Sequence, residues 1–361
     1  MDRPTPPPPD TPSPRYPVLD ALRIVAMLDI VSIHITKPGQ YLFWGMGLPV
    51  FIIVAVALSV RKPELPTWAD LPGAARKRAT RILVPWLIWT VFFGLNRLLW
   101  AGLDPEKSVG GLFYPWMIPS GTSIHLWFLP FIFVAELAVI GAMHPLRRVP
   151  TGVVIAGALA LGVGAVLLTG HVYDLKSATY GPLAMDSEDY AERAALYGWM
   201  VRKSWLFGTA SVCFGVALGR TLSLTGSATP RRLFLGVALG MFGLYFLWAG
   251  GHGRVDGHAI WQWWRQCFAL LLVAIAVQYV GGTPPWLMRI AVLTMGIYIL
   301  HGWVNSRLGT LLGLLYDLPV WQIIWPIGSV MHHRFGKLAV VWLLTATLVA
   351  LLRRTRAKHV L

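Results

Sequence analysis

Apolar and polar positions alternate along this chain in long blocks. Windows of about 20 apolar residues, the length of helix that crosses a hydrocarbon core, recur at 18–36, 42–60, 82–100, 124–143, 152–170, 203–219, 233–250, 261–280, 286–303 and 337–352. Such windows predict an all-α integral membrane protein with about ten transmembrane helices. One more apolar stretch, LGTLLGLLYDLPVWQIIWPI at 308–327, is interrupted by Asp317, Pro319 and Pro326. It is expected to be interfacial or re-entrant. The largest extramembrane piece is 171–202, and no solenoid-like period repeats along the chain. Three segments follow: residues 1–17, an extended Pro-rich cytoplasmic tail with eight prolines; residues 18–352, a single transmembrane domain; and residues 353–361, a basic cytoplasmic tail.

Composition supports the pattern and removes several alternatives. Of 361 residues, 56% are hydrophobic and only 13% charged, with a mean hydropathy of +0.59. That balance excludes a disordered chain and a disulfide scaffold. Both cysteines, Cys213 and Cys267, lie in apolar stretches and read as small buried hydrophobes. A formal net charge of +15 would suggest nucleic acid in a soluble protein. Sorting the charges by side changes that. With the N-terminus inside, eighteen basic and four acidic residues fall on its side and eleven and nine on the other, a net of +14 against +2. The positive-inside rule then places both termini in the cytoplasm, with no nucleic acid implied.

Five charges stay within the predicted spans: Asp20, Arg23, Asp29, Arg97 and Glu136. Ionisable groups in a bilayer are costly and are functional candidates by default. In the first span, VLDALRIVAMLDIVSIHI, eleven steps of 100° carry Arg23 to within about 20° of His34, and Asp20 joins the same face. Asp29 points the other way. Asp20 and Arg23 can simply neutralise each other. His34 can be a satisfied helix contact, a proton relay in a transporter, or a base for a substrate hydroxyl.

The segment RKRATRILVPW puts Arg76, Lys77, Arg78 and Arg81 at the entry to the third span. A lipid-headgroup anchor is one reading. The other is that Arg78 and Arg81, three apart on a helix, fork onto a phosphate. Further candidates are His125 and Glu136 in the fourth span, and Tyr298 with His301, one turn apart at the outer end of the ninth. The aromatic-rich segment GHGRVDGHAIWQWWRQ suits interfacial anchoring or sugar stacking. No metal is expected, because the chain has neither HExxH nor closely spaced Cys and His. Walker, Rossmann and GxSxG patterns are also missing.

These residues resemble acyltransferase family 3. LDALRIVAMLDIVSIH resembles the family's opening helix, in which ten residues separate an Arg from a His, here Arg23 and His34. GMGLPVFIIVAVALSV resembles its glycine-proline helix, with Ala55 where many members carry Ser. RATRILVPW resembles its Arg-x-x-Arg loop, and HLWFLPF at 125–131 and GIYILHGW at 296–303 match two later landmarks in order. The resemblance spans roughly 17–352. It implies a multi-pass plasma (inner) membrane enzyme that moves an acyl group, usually acetyl, from acyl-CoA to a hydroxyl of a glycan, glycolipid or similar acceptor. In that picture Arg78 and Arg81, with Arg76 and Lys77, hold CoA phosphates. Arg23, beside Asp20, stabilises the donor, and His34 is the general base or relay. A stand-alone transferase without a C-terminal esterase-like domain is expected. The competing expectation is a multi-span transporter or flippase with Asp20, Arg23, His34 and Glu136 along a polar path.

Overall fold

A computed structural model describes residues 16–35, 45–62, 66–102, 113–177, 190–224, 228–251, 257–316 and 334–355. Among these residues the secondary structure is helical, without strands. In chain order the helices are α1 (Pro17–Ile35), α2 (Gly47–Val60), α3 (Leu71–Arg78), α4 (Val84–Gly102), α5 (Met117–Ser120), α6 (Phe128–Leu146), α7 (Thr151–Ser177) and α8 (Tyr190–Ser223). They continue as α9 (Thr229–Gly251), α10 (Gly257–Ala276), α11 (Pro285–Ala291), α12 (Thr294–Tyr316) and α13 (Arg334–Arg353).

A helix stands in each of the ten predicted windows. Six runs are long and apolar enough to cross a membrane, and a seventh is reached if α11 and α12, bent by 49°, form one span. The others miss that standard for local reasons. α1 carries Asp20, Arg23 and Asp29 within 19 residues, α2 has 14 residues, and the apolar part of α10 is Trp263–Ala276. α12 continues through Tyr316, so residues 308–316 prolong that helix in place of the separate interfacial or re-entrant segment that the sequence predicts. The rest of that segment, 317–327, lies outside the described residues, as do most of the two tails.

The charged helix is central. α1 packs on α2, α10, α11, α12 and α13, and α2 packs in turn on α6, α8 and α10. Met27, Val31, Ile52, Ile53 and Phe214 are fully buried at this junction. The periphery is apolar outward: Leu87, Val91, Leu95 and Leu99 on α4, and Leu233, Leu244 and Leu247 on α9, are exposed. Rows of large aliphatics spaced three or four apart are the lipid-facing stripes of a membrane bundle.

Two local features set the geometry of the site. Asp29 is fully buried and accepts hydrogen bonds from the backbone N–H of Gly45 (3.2 Å) and Gly47 (2.8 Å). A carboxylate there satisfies donors at the start of α2 and complements its dipole. Gly45 has φ +80°, and a Cβ on Gly47 would run into the Ala26 carbonyl, so α1 and α2 meet backbone to backbone. The second feature is a π-helical turn at Ala79–Leu83, closed by the Val84 N–H on the Ala79 carbonyl. Pro85 explains it: proline offers no N–H to the Arg81 carbonyl and its ring crowds that group, so the helix widens.

Candidate active site

The predicted residues gather on two levels of the bundle. At one level, Arg23 Nη1 lies 3.7 Å from Asp20 Oδ1, and Thr283 donates its hydroxyl to Asp20 Oδ2 at 3.0 Å. Arg81 is within electrostatic reach of Arg23, which brings the first span and the basic segment together. Arg78 behaves differently from its neighbour. Its Nε donates to Glu136 Oε2 at 2.5 Å, and its Nη2 approaches Ser59 Oγ at 3.2 Å. Ser59 is shared between Glu136 Oε1 (3.1 Å) and the Ala55 carbonyl (2.9 Å).

The expected fork of Arg78 and Arg81 onto one phosphate is therefore not the arrangement found. Arg78 turns inward to a carboxylate on α6, while Arg81, Arg76 and Lys77 are exposed. The reason is twofold: the π turn between the two arginines alters their angular relation, and the mid-span carboxylate of Glu136 must be neutralised within the bundle. The partner of Glu136 thus comes from the basic segment itself.

At the other level stand three histidines. The ring of His34, exposed near the end of α1, lies 5.0 Å from that of His301 and 6.1 Å from that of His125. His125 and His301 are 5.5 Å apart, with Phe93 5.3 Å from His125. Tyr298 and His301 are buried within the bundle, at 5% and 1% exposure. They turn inward because α12 packs on α1. The Tyr298 hydroxyl donates to the His125 carbonyl. His125 Nε2 donates to the Ile299 carbonyl at 3.1 Å, and its Nδ1 lies 2.9 Å from Ser123 Oγ. His301 Nδ1 lies 2.7 Å from the Tyr298 carbonyl and 3.2 Å from that of Ile297. Its Nε2 is buried with no hydrogen-bond partner among the described residues, as is Asn305 Oδ1 one turn further along α12.

The spacing between levels follows from helix geometry. Arg23 to His34 on α1 and Glu136 to His125 at α6 are each eleven positions, and Arg81 to Phe93 is twelve. At 1.5 Å per residue each is a rise of about 16 to 18 Å. Arg23 and His34 share a face of α1, in agreement with the periodicity, yet they are too far apart to act on the same carbonyl. Among the described residues no group of His, Cys, Asp and Glu is placed to hold a metal ion.

Sequence reasoning does not single out Ser59, Ser123, Thr283 or Asn305. Short polar residues in helices carry no signal until their partners are known. The geometry as a whole offers exposed cations at one end and imidazoles at the other. It can hold an anion at the first and move a proton at the second.

A family model described as the acyltransferase domain matches residues 16–352. The chain belongs to acyltransferase family 3. No curated protein and no solved structure matches it. Membership makes the protein an acyl-transfer enzyme with a multi-pass helical architecture, and nothing in the comparisons supports the transport alternative.

Proposed function

We propose that this acyltransferase takes an acyl group, acetyl first among them, from acyl-CoA at the cytoplasmic side and transfers it to a hydroxyl of a glycan, glycolipid or similar acceptor. The observation that carries this reading is the two-level arrangement. Exposed Arg76, Lys77 and Arg81 stand at one end of helices whose other end, about 16 Å away, carries the histidines. Ten spans with both termini cytoplasmic, in the plasma membrane, complete the proposal. In that orientation the cations face the side from which CoA arrives.

A thioester is already activated, so the barrier lies in deprotonating the acceptor hydroxyl and stabilising the tetrahedral oxyanion. His34 is the base for the first task, being the histidine exposed to an incoming molecule. Arg81, with Arg76 and Lys77, binds CoA phosphates as charge-assisted pairs. Arg78 acts through Glu136 to hold the basic segment in place. Arg23, oriented by Asp20 beside Arg81, binds the donor at a point remote from the reacting carbon.

The test uses the full-length protein in lipid nanodiscs, radiolabelled acetyl-CoA, and octyl glucoside as a glycolipid-like hydroxyl acceptor. Ester-linked label should appear on the glucoside, and His34→Ala should lower transfer at least about 100-fold while inserting and expressing normally. Full transfer by that variant would remove His34 from its role. Absence of thiol release from acetyl-CoA by the wild type would remove acyl-CoA as donor.

A further inference from the structure

The three histidines are not equivalent, and their backbone contacts say how. A carbonyl oxygen can only accept, so a ring nitrogen that contacts one must carry the proton. His125 therefore holds its proton on Nε2 against Ile299, and its Nδ1 is engaged with the Ser123 hydroxyl. Both nitrogens are occupied. His301 holds its proton on Nδ1 against Tyr298 and Ile297. In the neutral ring this leaves a lone pair on Nε2, which is buried and unmatched among the described residues. A buried polar atom left unmatched calls for an explanation. The ring next to it is His34, at 5.0 Å between centroids; no His34 nitrogen is hydrogen-bonded to His301 Nε2 in this structure, and a rotation of the His34 side chain would bring one to it.

We propose that His301 receives, through His34, the proton released by the acceptor hydroxyl, making the two histidines a relay with His125 as its fixed wall. The proposal rests on the reading of His34 as base toward an acyl thioester. The hydroxyl proton passes to one nitrogen of His34 as the acceptor oxygen bonds to the thioester carbonyl carbon. The proton on the other His34 nitrogen moves to His301 Nε2. When the C–S bond breaks, the thiolate of CoA takes a proton from His34, and His301 returns its own to His34. The products are an ester and a free thiol, and both imidazoles end neutral.

Burial disfavours a charge on His301, and its backbone contacts offset part of that cost. An imidazolium at His34 would face the two other histidine rings with no carboxylate in the described cluster. At His301 the positive charge lies on a ring whose Nδ1–H already points at two carbonyl oxygens, dipoles oriented to stabilise it in advance of the reaction. His301 touches no reacting atom in this scheme. It is a positioning residue for the proton.

The experiment compares the wild type with His301→Gln and His301→Asn, as full-length protein in nanodiscs. Thiol release from acetyl-CoA with octyl glucoside is followed in mixtures of light and heavy water. Neither amide can be protonated, and asparagine keeps an N–H for the Tyr298 carbonyl. The wild-type rate should bow downward with deuterium fraction, as expected for two protons in flight, and both variants should give a straight line. kcat should fall about 100-fold, with KM for acetyl-CoA within about threefold of the wild type, the pattern of a group that acts only in the transition state. A variant with wild-type kcat, a variant that keeps the bowed dependence, or a straight line in the wild type would each overturn the relay. Failure of the underlying reading shows elsewhere: the wild type itself would release no thiol.

Discussion

The two levels of the site hold their polar groups in opposite ways. At the arginine level charge is met by charge: Asp20 with Arg23, and Glu136 with Arg78. At the histidine level the rings are held by backbone carbonyls and a serine, and the Tyr298 hydroxyl holds the His125 backbone. Paired, a full charge can be kept inside the bundle, and exposed cations beside the pairs stay available to an anionic ligand. Unpaired, neutral groups with fixed proton positions avoid the desolvation cost of a permanent ion and can still exchange a proton. In the proposed function one level binds and the other reacts.

The comparison is broken most severely by removing a charge from the lower level. Glu136→Ala leaves the Arg78 guanidinium, 22% exposed beside an 11% exposed carboxylate, without its partner. Loss of one member of a buried pair costs about 3–5 kcal/mol, which should appear as a lower midpoint of thermal unfolding in detergent. Replacing both residues together, Arg78→Met with Glu136→Leu, should recover most of that loss; a double variant as unstable as the single one would show that the pair is not the cause. A smaller effect tests the binding role. Arg81→Ala should raise KM for acetyl-CoA about 10-fold, the worth of one charged hydrogen bond, with a marked salt dependence and kcat nearly constant. The smallest effect belongs to the histidine level. Ser123→Ala removes one neutral hydrogen bond from His125, about 1 kcal/mol, and should slow transfer about fivefold without altering KM. A loss in that variant as large as that of His34→Ala would mean that His125 also takes part in proton transfer.

Part of the site is legible in the sequence. Arg23 and His34 share a sequence window, and helical period alone puts them on one face. The basic segment 76–81 is visible for the same reason, as is the anomaly of a carboxylate at Glu136. Hidden features depend on residues far apart in the chain. The Arg78–Glu136 contact joins positions 58 apart, and His125 reaches the backbone of Ile299 across 174. His301 reads as an interfacial residue because its own neighbours, MGIYILHGW, are apolar and aromatic. Its neighbours in space are other histidines. Pro85 is in plain view, but its consequence, a π turn that separates Arg78 from Arg81, requires the path of the backbone.

What the sequence alone determined is the class of solvent and the menu of elements. Long apolar windows with few charges can satisfy their backbone only as helices in lipid, and period 3.6 assigns residues to faces. Partner choice was decided by the tertiary structure. Which carboxylate neutralises Arg78, which nitrogen of a histidine carries the proton, and which lone pair is left open depend on how α1, α3, α6 and α12 pack. Periodicity is a property of one helix, whereas an ion pair or a tautomer is a property of two.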